Sequence, residues 1–224
     1  MIFDLDNTIW DFETNSREAL DELYHKTKVE NNIEHDFDFF HRNYVEINYK
    51  CWSDYEKGLI NKHQLRYGRF YDAFARTNFH DRRVIDSVAD RYVEISRTKT
   101  VVFEGTYEVL DYLSKKYKLA IITNGFSEVV KHKMVNCKLD QYFNYVQTSE
   151  DAGVQKPHVN IFNLVMKQFG VTNQESIMIG DNLETDIMGG KNAGMRTILF
   201  DPKNTNVNYD DFKITNLREL IKHL

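Results

Sequence analysis

The sequence is poor in the residues that mark several common classes of protein. It has only two cysteines and two prolines among 224 residues. Cys51 and Cys137 lie in different segments, so they provide no disulfide framework, and we expect both thiols to be reduced. No apolar run approaches the roughly 20 residues of a membrane span, and no repeat or proline-rich linker divides the chain. A disulfide-stapled scaffold and a helical membrane protein are therefore excluded.

The chain also lacks an excess of positive charge. Its net charge of −5 provides no broad attraction for nucleic acid or for an anionic membrane. With 42% hydrophobic and 28% charged residues, it can bury a sizeable core. No basic, apolar leader opens it, so we expect a cytoplasmic protein, a monomer or homodimer, whose partner is a small molecule and neither a nucleic acid polymer nor a membrane.

The first half of the chain has the apolar spacing of helices. Between Trp10 and Thr100, apolar residues recur every three to four positions. Each stretch begins near a residue that can cap a helix: Asp11, Asp36, Asn61 with Gln64 as a capping box, and Asp81. These signals predict an all-helical insert of about four helices, which we place at residues 11–100.

The remainder of the chain predicts a different architecture. From Val101 onward, short β-branched runs alternate with helical stretches, and this alternation predicts a parallel sheet covered on both faces. The predicted fold class is therefore α/β, with a Rossmann-like parallel sheet core at residues 1–10 and 101–224 and an inserted all-helical cap domain.

Polar residues follow several of the predicted strands. A strand over Ile2–Leu5 would put Asp4 and Asp6 on one face, where they would repel unless a cation or a proton relieved the charge. Three later segments also end apolar runs or open helices: Thr123-Asn124-Gly125, Lys156-Pro157, and Asp181 with Asp186. Because ligands bind beyond the carboxyl ends of parallel strands, we expect these segments to converge.

Each segment also has a plain structural interpretation. Thr123-Asn124-Gly125 fits a turn and helix cap, and Asp181 and Asp186 could cap the helix that follows them. Lys156 fits a solvated charge at a helix start, although the helix dipole disfavours a cation there, which favours a bound anion. Asp-x-Asp occurs by chance and often only caps a turn. The four segments are far more specific together than any one alone.

In this order and spacing, the segments resemble the four signature motifs of the haloacid dehalogenase (HAD) superfamily of phosphohydrolases, over Phe3 to about Phe200. The residues at 123–126, 153–157 and 180–186 are most similar to a bacterial pyrimidine 5′-nucleotidase branch with a helical C1-type cap. The resemblance implies a HAD fold and a Mg²⁺-dependent phosphatase. Its substrates would be small phosphomonoesters. Among these, the resemblance favours nucleoside monophosphates with a pyrimidine base, including non-canonical ones. Such proteins carry several residues before the first aspartate, so we expect the natural chain to start before Met1 or to be numbered differently.

The resemblance also implies a role for each matching residue. Asp4 would be the nucleophile that forms an aspartyl-phosphate, and Asp6 the general acid and base. Mg²⁺ would be held by Asp4, the backbone carbonyl of Asp6, and Asp181. The phosphate would be bound by Thr123, Asn124 and Lys156, while Asp186 orients a metal ligand and Thr8 braces the loop.

Other functions share this core. A phosphoglycolate or sugar-phosphate phosphatase and a phosphomutase are the main alternatives. A haloacid dehalogenase would need neither Asp6 nor a metal, and a phosphonate hydrolase would need a cap lysine such as Lys26, Lys50 or Lys57. A non-catalytic phospho-ligand binding module would have no reason to keep every chemical group of the four motifs.

Aromatic residues are frequent in and near the insert. We predict that most are core and that a minority stack on a nucleobase, because each helix of a bundle must bury one stripe. The residues concerned are Trp10, Phe40, Tyr44, Tyr49, Trp52, Tyr55, Tyr67, Phe70, Tyr71 and Phe74.

Overall fold

The computed structural model describes all residues from Met1 to Leu224, and the chain divides into two compact units. One unit comprises Met1–Phe12 and Thr100–Leu224, and the other comprises Glu13–Lys99. No helix in the structure is both long enough and apolar enough to cross a membrane.

The larger unit is built on one six-stranded parallel sheet. The strands are β1 (Ile2–Phe3), β2 (Ala120–Thr123), β3 (Tyr145–Thr148), β4 (Ile177–Gly180), β5 (Arg196–Phe200) and β6 (Lys213–Ile214). Their order is β3-β2-β1-β4-β5-β6, and every neighbouring pair is parallel. β2 and β3 therefore lie on one side of the central strand β1, and β4, β5 and β6 lie on its other side, so the strand order reverses beside β1. The predicted parallel α/β core is confirmed, and ligand sites in such sheets lie where the order reverses.

The smaller unit is entirely helical. Its helices are α1 (Phe12–Asn31, whose first residue belongs to the larger unit), α2 (Phe37–Glu56), α3 (Lys62–Ala75) and α4 (Arg82–Ser96). Asp36 accepts a hydrogen bond from the backbone N–H of Phe39, and Asp81 caps α4 in the same way. Asn61 and Gln64 form the complete capping box. The predicted starts of these three helices are confirmed.

The aromatic residues of the helical unit are buried to different degrees. Phe40, Tyr44, Phe70 and Phe74 lie in its core, Trp52, Tyr55, Tyr67 and Tyr71 are half-buried, and Tyr49 is exposed. The prediction that most are core is thus only partly right. Trp10 belongs instead to the sheet unit, where its ring is fully buried.

Helices cover the sheet of the larger unit and fill its connections. They are α5 (Thr106–Leu113), α6 (Ser127–Asn136), α7 (Ser149–Ala152), α8 (Val159–Phe169), the π-helical turn Leu183–Met188, α9 (Gly189–Asn192) and α10 (Glu219–His223). Consecutive strand residues point to opposite faces, so β1 contributes Phe3 to one apolar cluster and Ile2 to the other. With both faces covered in this way, polar groups can meet only at the strand ends.

Candidate active site

The central strand ends earlier than the sequence predicts. β1 ends at Phe3. The N–H of Asp4 makes one more bond to β4, to the carbonyl of Ile179, and the chain then turns away from the sheet. Asn7 adopts a positive φ of 62°, a conformation that asparagine tolerates better than most residues. The expectation of a strand over Ile2–Leu5 with two aspartates on one face is therefore wrong. The turn directs the carboxylates of Asp4 and Asp6 to two different lysines.

Asp4 lies at the centre of a buried ion-pair network. The ammonium of Lys156 is 2.5 Å from Asp4 Oδ1 and 2.6 Å from Asp186 Oδ1. All three side chains are at least nine-tenths buried. Asp4 and Lys156 are 152 residues apart in sequence. They meet because Asp4 follows β1, while Lys156 is hydrogen-bonded to Asn124, which follows the neighbouring strand β2. The predicted convergence of the first and third segments is thus present in the structure.

Asn124 fixes the backbone from which Lys156 extends. Its side-chain oxygen accepts a hydrogen bond from the N–H of Lys156 at 2.9 Å, and its amide donates to the carbonyl of Lys156 at 3.2 Å. The peptide bond from Lys156 to Pro157 is cis. Because Asn124 follows β2 directly, this reciprocal pair ties the lysine to the end of the strand beside β1.

Burial and charge act in opposite directions on this network. Burial favours neutral Lys156, but its ion pairs with Asp186 and Asp4 outweigh that effect and raise the lysine pKa above its usual value. Burial raises the pKa of Asp4 to about 7; Lys156 lowers it, and the nearby charge of Asp186 raises it further. The metal-free site therefore favours a charged lysine and resists full ionisation of its carboxylates.

The end of β4 supplies the other two carboxylates. Asp186 is fully buried, and its Oδ2 accepts the N–H of Asn182 at 3.1 Å. A side chain at position 180 would place its Cβ 2.2 Å from that oxygen, so only glycine fits there. Asp181 is half-buried, and Thr8 donates to its Oδ1 at 3.3 Å. Burial, followed by the charges of Asp4 and Asp186, raises the pKa of Asp181 well above its usual value.

The carboxylates of Asp4, Asp181 and Asp186 form a compact acidic cluster. Oxygen atoms from the three groups all lie within 4.8 Å of one another. When ionised they carry three negative charges, and Lys156 supplies one positive charge. The remaining charge of −2, held on oxygen atoms in a largely buried site, suits a divalent cation such as Mg²⁺. The side chain of Asp6 lies outside this cluster.

The end of β2 forms a small polar cradle. The buried hydroxyl oxygen of Thr123 accepts a hydrogen bond from the N–H of Gly125 at 3.0 Å. The hydroxyl can still donate its own proton to another group. A Cβ at Gly125 would lie 3.1 Å from that oxygen and 3.4 Å from Asp6 Oδ2. A Cβ there would also lie 3.1 Å from Cγ2 of Val130, so glycine avoids crowding where the Thr123 hydroxyl and the Asp6 carboxylate come close together.

Asp6 has a partner that sequence reasoning missed. Lys133, on α6, donates to Asp6 Oδ1 at 2.5 Å, and its ammonium lies 3.5 Å from the centroid of the Trp10 ring. A signal was available, because Lys133 falls on the apolar stripe of α6 between Val130 and Cys137, where an unpaired charge would be costly. A lysine on such a stripe predicts a buried acidic partner.

This parallel α/β sheet thus carries a lysine and several carboxylates together at the ends of its central strands. The sequence profile of the haloacid dehalogenase-like hydrolase family matches residues 1–200. The chain belongs to that family, and the resemblance found in its four motifs is confirmed.

Several members of the family are similar to this chain over most of its length. The chain is 31% identical over 198 residues to the pyrimidine 5′-nucleotidase YjjG of Escherichia coli, covering 88% of this chain and 83% of that protein. It is also 31% identical over 241 residues to a glyceraldehyde 3-phosphate phosphatase of Pyrococcus furiosus, covering 100% of this chain and 92% of the relative. Among solved structures, the HAD-hydrolase YfnB of Bacillus subtilis, bound to magnesium, superimposes with a TM-score of 0.89 at 26% identity. That match covers 100% of this chain and 96% of the YfnB chain.

Proposed function

We propose that this hydrolase is a Mg²⁺-dependent phosphatase that cleaves small phosphomonoesters through an aspartyl-phosphate on Asp4, with nucleoside monophosphates as its favoured substrates. The observation that carries the proposal is the position of Asp4: its buried carboxylate bonds to Lys156 and lies within 4.8 Å of two further carboxylates. A phosphomonoester requires a nucleophile and positive charge beside its equatorial oxygens, and this site has both.

The donor set at the acidic cluster fits Mg²⁺. The side chains of Asp4 and Asp181 and the backbone carbonyl of Asp6 would hold the ion, which prefers oxygen ligands. Asp186 is already bonded to Lys156 and to the N–H of Asn182, so it would orient the site without binding directly. When bound, Mg²⁺ supplies positive charge that offsets the repulsion between a phosphate and the carboxylates. The magnesium bound to YfnB supports this assignment.

The side chains of this chain then divide the chemistry. An oxygen of Asp4 attacks phosphorus, and the bond from phosphorus to the ester oxygen breaks. Lys156, the Thr123 hydroxyl and the backbone N–H of Asn124 would hold the phosphoryl oxygens. Asp6 gives a proton to the departing oxygen and later removes one from the water that hydrolyses the aspartyl-phosphate. Thr8 steadies Asp181 through its hydrogen bond.

The helical unit is the proposed selector of substrates. We assign it as a cap, residues 11–100 by the sequence and Glu13–Lys99 as a compact unit, that gates entry and excludes bulk water. The interdomain movement described for YfnB supports a mobile cap. Its half-buried rings, Trp52, Tyr55, Tyr67 and Tyr71, are the candidates for stacking on a base, worth about 1–3 kcal/mol for one base.

The choice of substrate has a second candidate. The relative YjjG favours a pyrimidine nucleotidase, while the glyceraldehyde 3-phosphate phosphatase relative, at the same 31% identity, favours a small sugar phosphate. Phosphate release from UMP, dTMP, glyceraldehyde 3-phosphate and phosphoglycolate, each with Mg²⁺ and with EDTA, separates them. We expect the nucleotides to have the highest kcat/KM and EDTA to abolish release. Faster turnover of the sugar phosphate would favour the second candidate.

One variant tests whether the site is catalytic at all. Asp4→Asn keeps the shape of the side chain and removes the charge of the nucleophile, so we expect it to abolish turnover while the protein stays folded. Circular dichroism and the melting temperature provide the folding control. Near-normal phosphate release by this variant would reject the role of Asp4, and with it the proposed mechanism.

A further inference from the structure

Lys133 is a buried cation whose only carboxylate partner in an ion pair is Asp6. Its side chain is 5% exposed, and its ammonium is 2.5 Å from Asp6 Oδ1. The same ammonium lies 3.5 Å from the centroid of the ring of Trp10, a fully buried residue. The ring face and the carboxylate together fix the ammonium in one place.

The surroundings of Lys133 argue against a merely tolerated surface charge. Its neighbours on the same stripe, Val130 and Met134 in α6 and Cys137 at the C-terminal end of that helix, are all buried and apolar. An aliphatic residue would fill such a position without the free-energy cost of burying an ammonium group. By contrast, Lys131 on the same helix is exposed, as lysines on surface helices usually are.

The contact leaves the two oxygens of Asp6 with different surroundings. Oδ1 is held by Lys133, while Oδ2 lies beside Gly125 at the end of β2, 3.4 Å from where a Cβ of that glycine would lie. Asp4 has its own ammonium in Lys156, so the two aspartates do not compete for one cation. We propose that Lys133 is the positioning residue of the general acid, fixing the Asp6 carboxylate so that Oδ2 meets the departing ester oxygen. This inference rests on the role of Asp6 in the proposed function.

The experiment compares two substrates whose leaving groups differ in whether they need a proton from a general acid. An alkoxide is a poor leaving group and requires the acid, whereas p-nitrophenolate departs without one. Lys133→Met removes the ammonium but keeps an apolar side chain under Trp10, and kcat/KM reports the step in which the ester bond breaks. We expect the variant to lose about tenfold to a hundredfold in kcat/KM for the alkyl phosphate that the wild type cleaves fastest. For p-nitrophenyl phosphate we expect little change.

Three further variants make the result interpretable. Lys131→Met, the matched control on the exposed face of α6, should behave as wild type with both substrates. Lys133→Arg keeps the charge and should recover most of the alkyl phosphate activity; it also keeps the test valid if Lys133→Met folds poorly, which melting temperatures would reveal. Asp6→Asn should reproduce the selective loss, because it removes the acid itself.

The outcomes separate this inference from the proposed function. If Lys133→Met slows both substrates equally, or neither, while Asp6→Asn is selective for the alkyl phosphate, then Lys133 has only a structural role and the inference is overturned. If Asp6→Asn itself lacks that selectivity, the acid role of Asp6 fails and the inference fails with it. Failure of Lys133→Arg to recover activity while it remains folded would also reject a role for the charge.

Discussion

Gly180 provides a sharp test of how the site is built. A Cβ added there would lie 2.2 Å from Asp186 Oδ2, 2.4 Å from its Cγ and 2.5 Å from its Cβ, far inside any tolerated contact. Asp186 cannot yield freely, because Lys156 and the N–H of Asn182 hold its two oxygens. Gly180→Ala must therefore displace either β4 or the buried carboxylate.

The size of the effect follows from the two contributions. Overpacking a tight site costs about 1–3 kcal/mol. Losing one hydrogen bond to a charged group costs about 1.5–3 kcal/mol more. We therefore expect Gly180→Ala to lower the free energy of unfolding by about 2.5–6 kcal/mol, a large part of the 5–15 kcal/mol that holds most domains folded. Activity should be lost as well, since Lys156 loses its second partner.

Urea unfolding followed by circular dichroism measures this change. Gly68→Ala is the matched control, because nothing lies within 4 Å of a Cβ at that position in α3, and alanine is the better helix former. Adding Gly180→Ala to Asp186→Gly should cost little beyond Asp186→Gly alone, since every clashing side-chain atom of residue 186, its Cβ included, is gone. A Gly180→Ala protein as stable as wild type, or full additivity in the double variant, would refute the reasoning.

Three other predictions concern charge and capping. Lys156→Met leaves Asp4 and Asp186 buried without their ammonium, so in EDTA at pH 8 it should lower the free energy of unfolding by about 3–5 kcal/mol; unchanged urea stability would contradict the ion-pair network. Because the pKa of Asp4 is raised to about 7 and that of Asp181 is raised too, the folded metal-free protein binds more protons than the unfolded chain between about pH 4 and 7. Its stability should therefore fall as the pH rises through that window, and the gain in melting temperature on adding Mg²⁺ should grow; a gain independent of pH would count against the metal site. Asn61→Ala removes one cap of α3 and should cost about 1 kcal/mol in urea without changing kcat, whereas a loss of kcat would be unexpected.

The sequence was most informative where local chemistry determines structure. Helix starts at Asp36, Asn61 and Asp81 depend on a side chain bonding to its own first turn, and all three were predicted correctly. The parallel sheet was predicted from the alternation of apolar runs, and the convergence of Asp4 with Lys156 from the rule that strand ends share one edge.

The sequence was least informative where a contact depends on tertiary structure. The turn after β1 sends Asp4 and Asp6 to separate lysines, which a period of two could not reveal. Lys133 was missed because a lysine in a helix is usually solvated, and its carboxylate lies 127 residues away in sequence. These contacts exist only once the chain has folded.

The most direct test of the central claim is to find the phosphoryl group on the protein. The wild type and Asp6→Asn, in which hydrolysis of the intermediate should be slowed, would be mixed with p-nitrophenyl phosphate and Mg²⁺ and quenched in acid within milliseconds. Peptide mass spectrometry should then locate a phosphoryl group on Asp4, with more of it in Asp6→Asn. Turnover with no phosphoryl group on Asp4 in either protein, or with the group on another residue, would contradict the account.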